Sequence, residues 1–232
     1  MFWSHATIGP ATPSDAINAG VTVLSHADML SFEGMRGAGP EYWGLPYAER
    51  ITRAMREAPA NGRVIGNLIR QMKEHNVILE PTLFIIATAV AQAREEGSPN
   101  LARYEEQYAY AAAVTLRAHR AGVRIAAGTD ALGGETPNLH AELFLLVRDA
   151  GLSPQQALTA ATETNADVLG LLPHRPEDHR ELVGPGMPAD LVIYDRDPSA
   201  DIRNTQSISS MVVRGRLIQR TAPLAPAPLT NP

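Results

Sequence analysis

The stretch Val123-Arg124-Ile125-Ala126-Ala127-Gly128-Thr129-Asp130 restricts this chain to a small set of folds. Its apolar part reads as a buried parallel strand, because strands covered on both faces are near-continuous hydrophobic runs. Gly128 then lets the backbone turn, and a carboxylate, Asp130, stands at the strand's carboxyl end. A helical run ending at Ala121-Gly122 precedes it, and a glycine-bearing loop and another helix follow. A strand-to-helix unit with an acidic residue at the strand exit is the place where barrel enzymes keep their reacting groups.

The same arrangement recurs upstream. Residues 1–6 read as a short strand ending at Ser4-His5, and residues 21–24 as a second ending at Ser25-His26. Between them Thr12, Pro13 and Asp15 mark a helix start through its cap, its first turn and its positive end. Val77-Ile78-Leu79-Glu80-Pro81-Thr82 is a third strand, with Pro81 at its end, where a missing N–H does least harm. Helical periodicity covers 62–75, where Val64, Ile65, Leu68, Ile69 and Met72 share a face, and 83–121 with a break at Gly97-Ser98-Pro99. Residues 31–46, rich in Gly, Pro and aromatic side chains, read as a long covering loop. Leu139 to Ala150 is amphipathic, and Ser153-Pro154-Gln155-Gln156 is a capping box opening two short helices at about 154–162 and 164–171.

The composition then changes. Residues 173–181 are charged and turn-like, and strands follow at 189–195, 208–213 and 216–219. The expected organisation is a βα region over 1–180, a small β element over 181–220 and a disordered proline-rich tail over 221–232. A 44% hydrophobic and 19% charged composition suits a folded protein. The formal net charge of −5 and the lack of a basic run argue against a nucleic-acid surface. No apolar run is long enough to span a bilayer, so no membrane partner is expected. With no cysteine, disulfides, thiolate ligands and a cysteine nucleophile are excluded, which leaves cytoplasm and periplasm both open.

Three strands thus exit in possible ligands: His5, His26 and Asp130. Parallel strands in a barrel point their carboxyl ends at one face, so these side chains converge there. Imidazole and carboxylate suit Zn²⁺ and similar ions. Each residue also has a plain structural reading, a half-buried histidine or a helix-capping aspartate. His140 and Glu142, opening the next helix, stand either behind the metal site or in an ordinary polar first turn. Tyr42 and Trp43 either line the substrate loop or anchor it.

Trp3-Ser4-His5-Ala6, Leu24-Ser25-His26-Ala27-Asp28, Ala126-Ala127-Gly128-Thr129-Asp130-Ala131 and Leu139-His140-Ala141-Glu142-Leu143 resemble the metal-dependent amidohydrolase superfamily, nearest its imidazolonepropionase-like and prolidase-like branch. Leu152 to Thr162 and Gly184 to Val192 add to the resemblance, which covers nearly the whole chain up to about Arg220. It implies a (β/α)₈ barrel with a β-sandwich, and a zinc-type metal-dependent hydrolase of carbon–nitrogen bonds in small amides or dipeptides. By resemblance His5 and His26 match the fifth- and sixth-strand metal ligands. Asp130 matches the eighth-strand residue that completes the site and accepts a proton.

The chain departs from that pattern in having no His-x-His pair anywhere. Four βα units are readable where a closed barrel needs eight. The expectation is therefore the last four units of a barrel plus sandwich strands, in a chain truncated at its amino end. A split enzyme completed by a partner chain or oligomer, and a non-catalytic remnant or binding module, are the alternatives.

Overall fold

A computed structural model describes residues 2–6, 9–131, 138–171, 183–184 and 186–219. Three short strands, β1 (Trp3–His5), β2 (Val23–Ser25) and β3 (Ile78–Glu80), form a parallel sheet in that order. The register places Trp3 beside Val23 and Val23 beside Ile78, and likewise His5 beside Ser25 and Ser25 beside Glu80. Because side chains alternate along a strand, these rows share one face and Ser4, Leu24 and Leu79 the other. Leu24 and Leu79 lie in the main core among the helices, whereas Val23, Ile78, Ala126 and Val168 form a separate small cluster.

The apolar run at 123–127 is extended without becoming a full strand. It meets β3 through a single parallel bridge between Leu79 and Ile125. Leu79 N–H donates to the Arg124 carbonyl at 3.0 Å, and Ala126 N–H to the Leu79 carbonyl at 2.9 Å.

Helices connect the parallel segments: α1 (Pro13–Asn18), α2 (Pro40–Trp43), α3 (Tyr47–Glu57), α4 (Arg63–Glu74), α5 (Leu83–Glu95) and α6 (Leu101–Arg120). Asp15 accepts from the Thr12 N–H at 2.9 Å, so α1 starts where its capping signal lies. The covering loop expected at 31–46 is instead largely helical, a 3₁₀ stretch (Ala27–Met35) followed by α2. Gly39 and Pro40, which read as breakers, here supply the cap and first turn of α2. The buried stripe of α3, Ile51, Ala54 and Met55, has helical spacing, with Arg50, Thr52 and Arg53 off that stripe.

After Asp130 the chain continues through α7 (Leu139–Arg148), α8 (Pro154–Thr159), a π turn (Ala160–Thr164) and α9 (Asn165–Val168). Ser153 Oγ accepts from Gln156 N–H at 3.2 Å while Gln156 Oε1 accepts from Ser153 N–H at 2.7 Å, so the capping box forms as read. A second sheet, antiparallel, is built from β4 (Leu191–Tyr194), β5 (Ile208–Val213) and β6 (Arg216–Gln219). Ile202, in the 3₁₀ turn before β5, is buried in the main core and ties this sheet to the rest. The fold is mixed α/β. No helix among the described residues is long and apolar enough to cross a membrane. The turn region at 173–181 and the tail beyond Arg220 lie outside the described residues.

Candidate active site

The exits of β2, β3 and the 123–127 segment share a backbone feature. His26 (φ 71°), Thr82 (φ 54°) and Asp130 (φ 49°) are all non-glycine residues in the left-handed region. Such conformations cost about 1–3 kcal/mol each and persist where surrounding structure imposes them. Here they aim side chains at one another. His26 Nε2 lies 3.9 Å from Asp130 Oδ2, and the His5 ring meets the His26 ring edge-on with centroids 4.5 Å apart. The three residues read from the sequence are brought together at one end of the sheet.

Hydrogen bonds fix how His26 is presented. Thr82 Oγ1 lies 2.8 Å from the Pro81 carbonyl and 2.8 Å from His26 Nδ1. With the hydroxyl proton on the Pro81 carbonyl, Thr82 Oγ1 accepts from Nδ1–H, and the neutral ring then carries its lone pair on Nε2, the nitrogen nearer Asp130. Burial lowers the His26 pKa, opposed by the charges of Asp28 and Asp130. Asp28, two residues on, is fully buried and accepts from Gln107 Nε2 at 2.7 Å and Tyr47 Oη at 3.3 Å; burial raises its pKa.

Glu80 forms the floor. It stands at the end of β3 in the row with His5 and Ser25, and its Oε2 accepts from Ser25 Oγ and from Trp3 Nε1, the latter at 3.2 Å. Burial raises its pKa, while those two donors act in the opposite sense. Gly128 is what admits it, since a Cβ at 128 would overlap Glu80 Oε1. The sequence reading passed over Glu80. Its one signal was a carboxylate ending an apolar strand, opposite a Gly-Thr-Asp turn.

The four outlying candidates divide. Glu142 is completely buried and accepts from Leu83 N–H (3.2 Å) and Phe84 N–H (2.7 Å), so it caps α5 next to Thr82. Burial pushes its carboxyl up to about 8 against those two donors. His140 is half-buried, and burial lowers its pKa. Tyr42 is buried, with its hydroxyl donating to the Arg50 carbonyl at 2.9 Å. Trp43 donates from Nε1 to the Ala38 carbonyl at 3.1 Å and packs on Phe32. This pair anchors its segment; from the same region it is Tyr47 that reaches Asp28.

With Nε2 unprotonated, His26 Nε2 and Asp130 Oδ2 present lone pairs 3.9 Å apart, an arrangement that suits a shared cation. The described residues nevertheless form no group of three His, Asp or Glu side chains spaced to hold a metal ion. The donor chemistry fits a divalent ion; the donor number is short of a closed site.

The sequence profile of the amidohydrolase family matches residues 47–218. The chain belongs to the amidohydrolase family. No curated protein sequence matches it. Among solved structures it is similar to a prolidase determined with N-methylphosphonate-L-proline, at a TM-score of 0.59 and 20% identity over 89% of this chain and 42% of that one. It is similar also to a putative prolidase from Bifidobacterium longum, with a TM-score of 0.57, 19% identity, and 97% and 66% coverage. A third is the ochratoxinase of A. niger, with a TM-score of 0.56, 21% identity, and 89% and 38% coverage. These likenesses are of fold. The 232 residues span between 38% and 66% of the lengths of those three amidohydrolase-like chains.

Proposed function

We propose that these residues form the carboxyl-terminal part of a (β/α)₈-type barrel, residues 1–180, followed by sandwich strands at 181–220, and that the strand ends serve metal-dependent hydrolysis of carbon–nitrogen bonds. The observation that carries this reading is the convergence of His5 with His26 and Asp130, the latter two at left-handed strand exits and with His26 Nε2 3.9 Å from Asp130 Oδ2. Family membership and the prolidase-like fold neighbours support small amides or dipeptides as substrates.

In this reading His5, His26 and Asp130 would hold a divalent ion, zinc being the best match to imidazole and carboxylate donors. When bound, such an ion lowers the pKa of water and polarises a carbonyl. Asp130 takes the proton from the attacking water and passes it to the departing amine. Thr82 keeps the His26 ring in the tautomer that leaves Nε2 free. Glu80, held by Ser25 and Trp3, places a second carboxyl oxygen beneath the reacting groups. Further donors come from sequence outside these residues, in the same polypeptide or in a partner chain. The support for this is that the neighbours of similar fold are longer.

The test is release of free amine from a panel of dipeptides and N-acyl amino acids in the presence of Zn²⁺, Mn²⁺ or Co²⁺. The 232-residue chain alone should turn over well below 1 per second, the lower end of ordinary enzyme rates. Joined to the missing donors it should gain activity that Asp130→Asn removes. Activity that survives Asp130→Asn would refute the role given to Asp130.

A further inference from the structure

Ala127 lies just ahead of Gly128, Thr129 and Asp130, and its backbone groups point away from β3. Toward β3 the segment is paired through Arg124 and Ala126. On the other side Asn165 takes the place that a neighbouring strand would hold. Its Nδ2 donates to the Ala127 carbonyl at 2.9 Å, and its Oδ1 accepts from the Ala127 N–H at 3.2 Å. The Ala160 carbonyl accepts from the same N–H at 3.3 Å.

A primary amide offers a donor and an acceptor side by side, as a peptide unit does, so one side chain completes the pattern of a strand pair. The π turn brings this about, because Ala160 is its first residue and Asn165 the first residue after it, and both reach Ala127. Turns of this kind are rare and frequent at functional sites. What they secure here matters for direction. Gly128 is conformationally permissive, and beyond it Asp130 adopts φ 49°, so the segment has little local reason to aim Asp130 at His26.

We propose that Asn165 is a positioning residue for Asp130: its side-chain amide replaces a neighbouring strand on Ala127 and fixes the direction in which Asp130 leaves the sheet. This rests on the reading of Asp130 as metal ligand and proton acceptor. The two hydrogen bonds of the Asn165 side chain go to the Ala127 backbone.

The test uses the ¹⁵N-labelled 232-residue chain as parent, Asn165→Ala and Asn165→Asp. Asn165→Asp keeps the acceptor for Ala127 N–H and loses the donor to its carbonyl. Amide exchange at Gly128, Thr129 and Asp130 should speed up at least tenfold in Asn165→Ala and by less in Asn165→Asp, while α6 amides keep the parent rate. Co²⁺ titration followed by visible absorption should show affinity weakened about 10–100-fold in Asn165→Ala, the usual effect of removing a group that orients a ligand. Unchanged exchange at 128–130 in both variants would overturn the proposal, as would parent-like Co²⁺ affinity in a variant whose exchange had risen. Should Asn165→Ala fail to fold, Asn165→Asp decides by the same criteria. A parent that takes up no Co²⁺ would sink the metal reading, and the exchange rates would then decide the positioning role by themselves.

Discussion

Thr82 Oγ1 touches both the Pro81 carbonyl and His26 Nδ1 at 2.8 Å, so in the proposed site it sets which nitrogen of His26 is free. Thr82→Val keeps the shape and removes the hydroxyl. It should weaken divalent-metal affinity about 10–100-fold, the range found when an orienting partner is lost. Thr82→Ser should stay near the parent, and calorimetric titration with Zn²⁺ checks both. Gly128 and Glu80 form a second dependent pair, because a Cβ at 128 would overlap Glu80 Oε1. Gly128→Ala should cost about 1–3 kcal/mol through overpacking. In a Glu80→Ala background the same change should cost clearly less, and urea unfolding of the four variants measures the coupling. A Gly128→Ala cost that is independent of residue 80 would contradict the close approach. At this scale the meeting of His5, His26 and Asp130 was legible because each ends an apolar run. Glu80, Thr82 and Asn165 were not, because their roles depend on partners dozens of residues away.

At the scale of elements, α5 begins without a cap of its own. Thr82 makes no capping bond, and Glu142 from α7 receives the Leu83 and Phe84 N–H groups instead. Burial raises the Glu142 carboxyl from 4.5 to about 8. The folded state therefore holds this proton more tightly than the unfolded chain, so its contribution to stability is complete below about 4.5 and declines as pH rises toward 8. Glu142→Gln mimics the protonated form and removes the titration. Thermal unfolding from pH 5 to 8 should show the parent losing ground steadily to the variant; a constant gap would contradict the assignment. The capping signals at Thr12 and Ser153 are local and were read directly. The 31–46 region differs for the same reason in reverse: Gly39 and Pro40 are local breakers, yet the segment winds into a 3₁₀ stretch and α2 around the buried Phe32 and Tyr42. The 123–127 strand was read too regularly, since half of its expected pairing is made by an asparagine side chain.

For the whole molecule, alternation of strand and helix was visible in the sequence, as was the change of character ahead of β4. Which faces remain uncovered was not. In the second sheet Val192, Met211 and Ile218 lie across from one another on one face, and Leu217 and Ile193 project from the other; all five are exposed apolar side chains. A small sheet with both faces apolar is built to be covered. Among the described residues the proposed donors are His5, His26 and Asp130. The central claim is that this side of the site binds a divalent ion. Calorimetric titration of the 232-residue chain with Zn²⁺ tests it most directly. The account predicts saturable uptake of one ion that His26→Ala and Asp130→Asn each weaken at least tenfold; no uptake, or uptake indifferent to both substitutions, would contradict it.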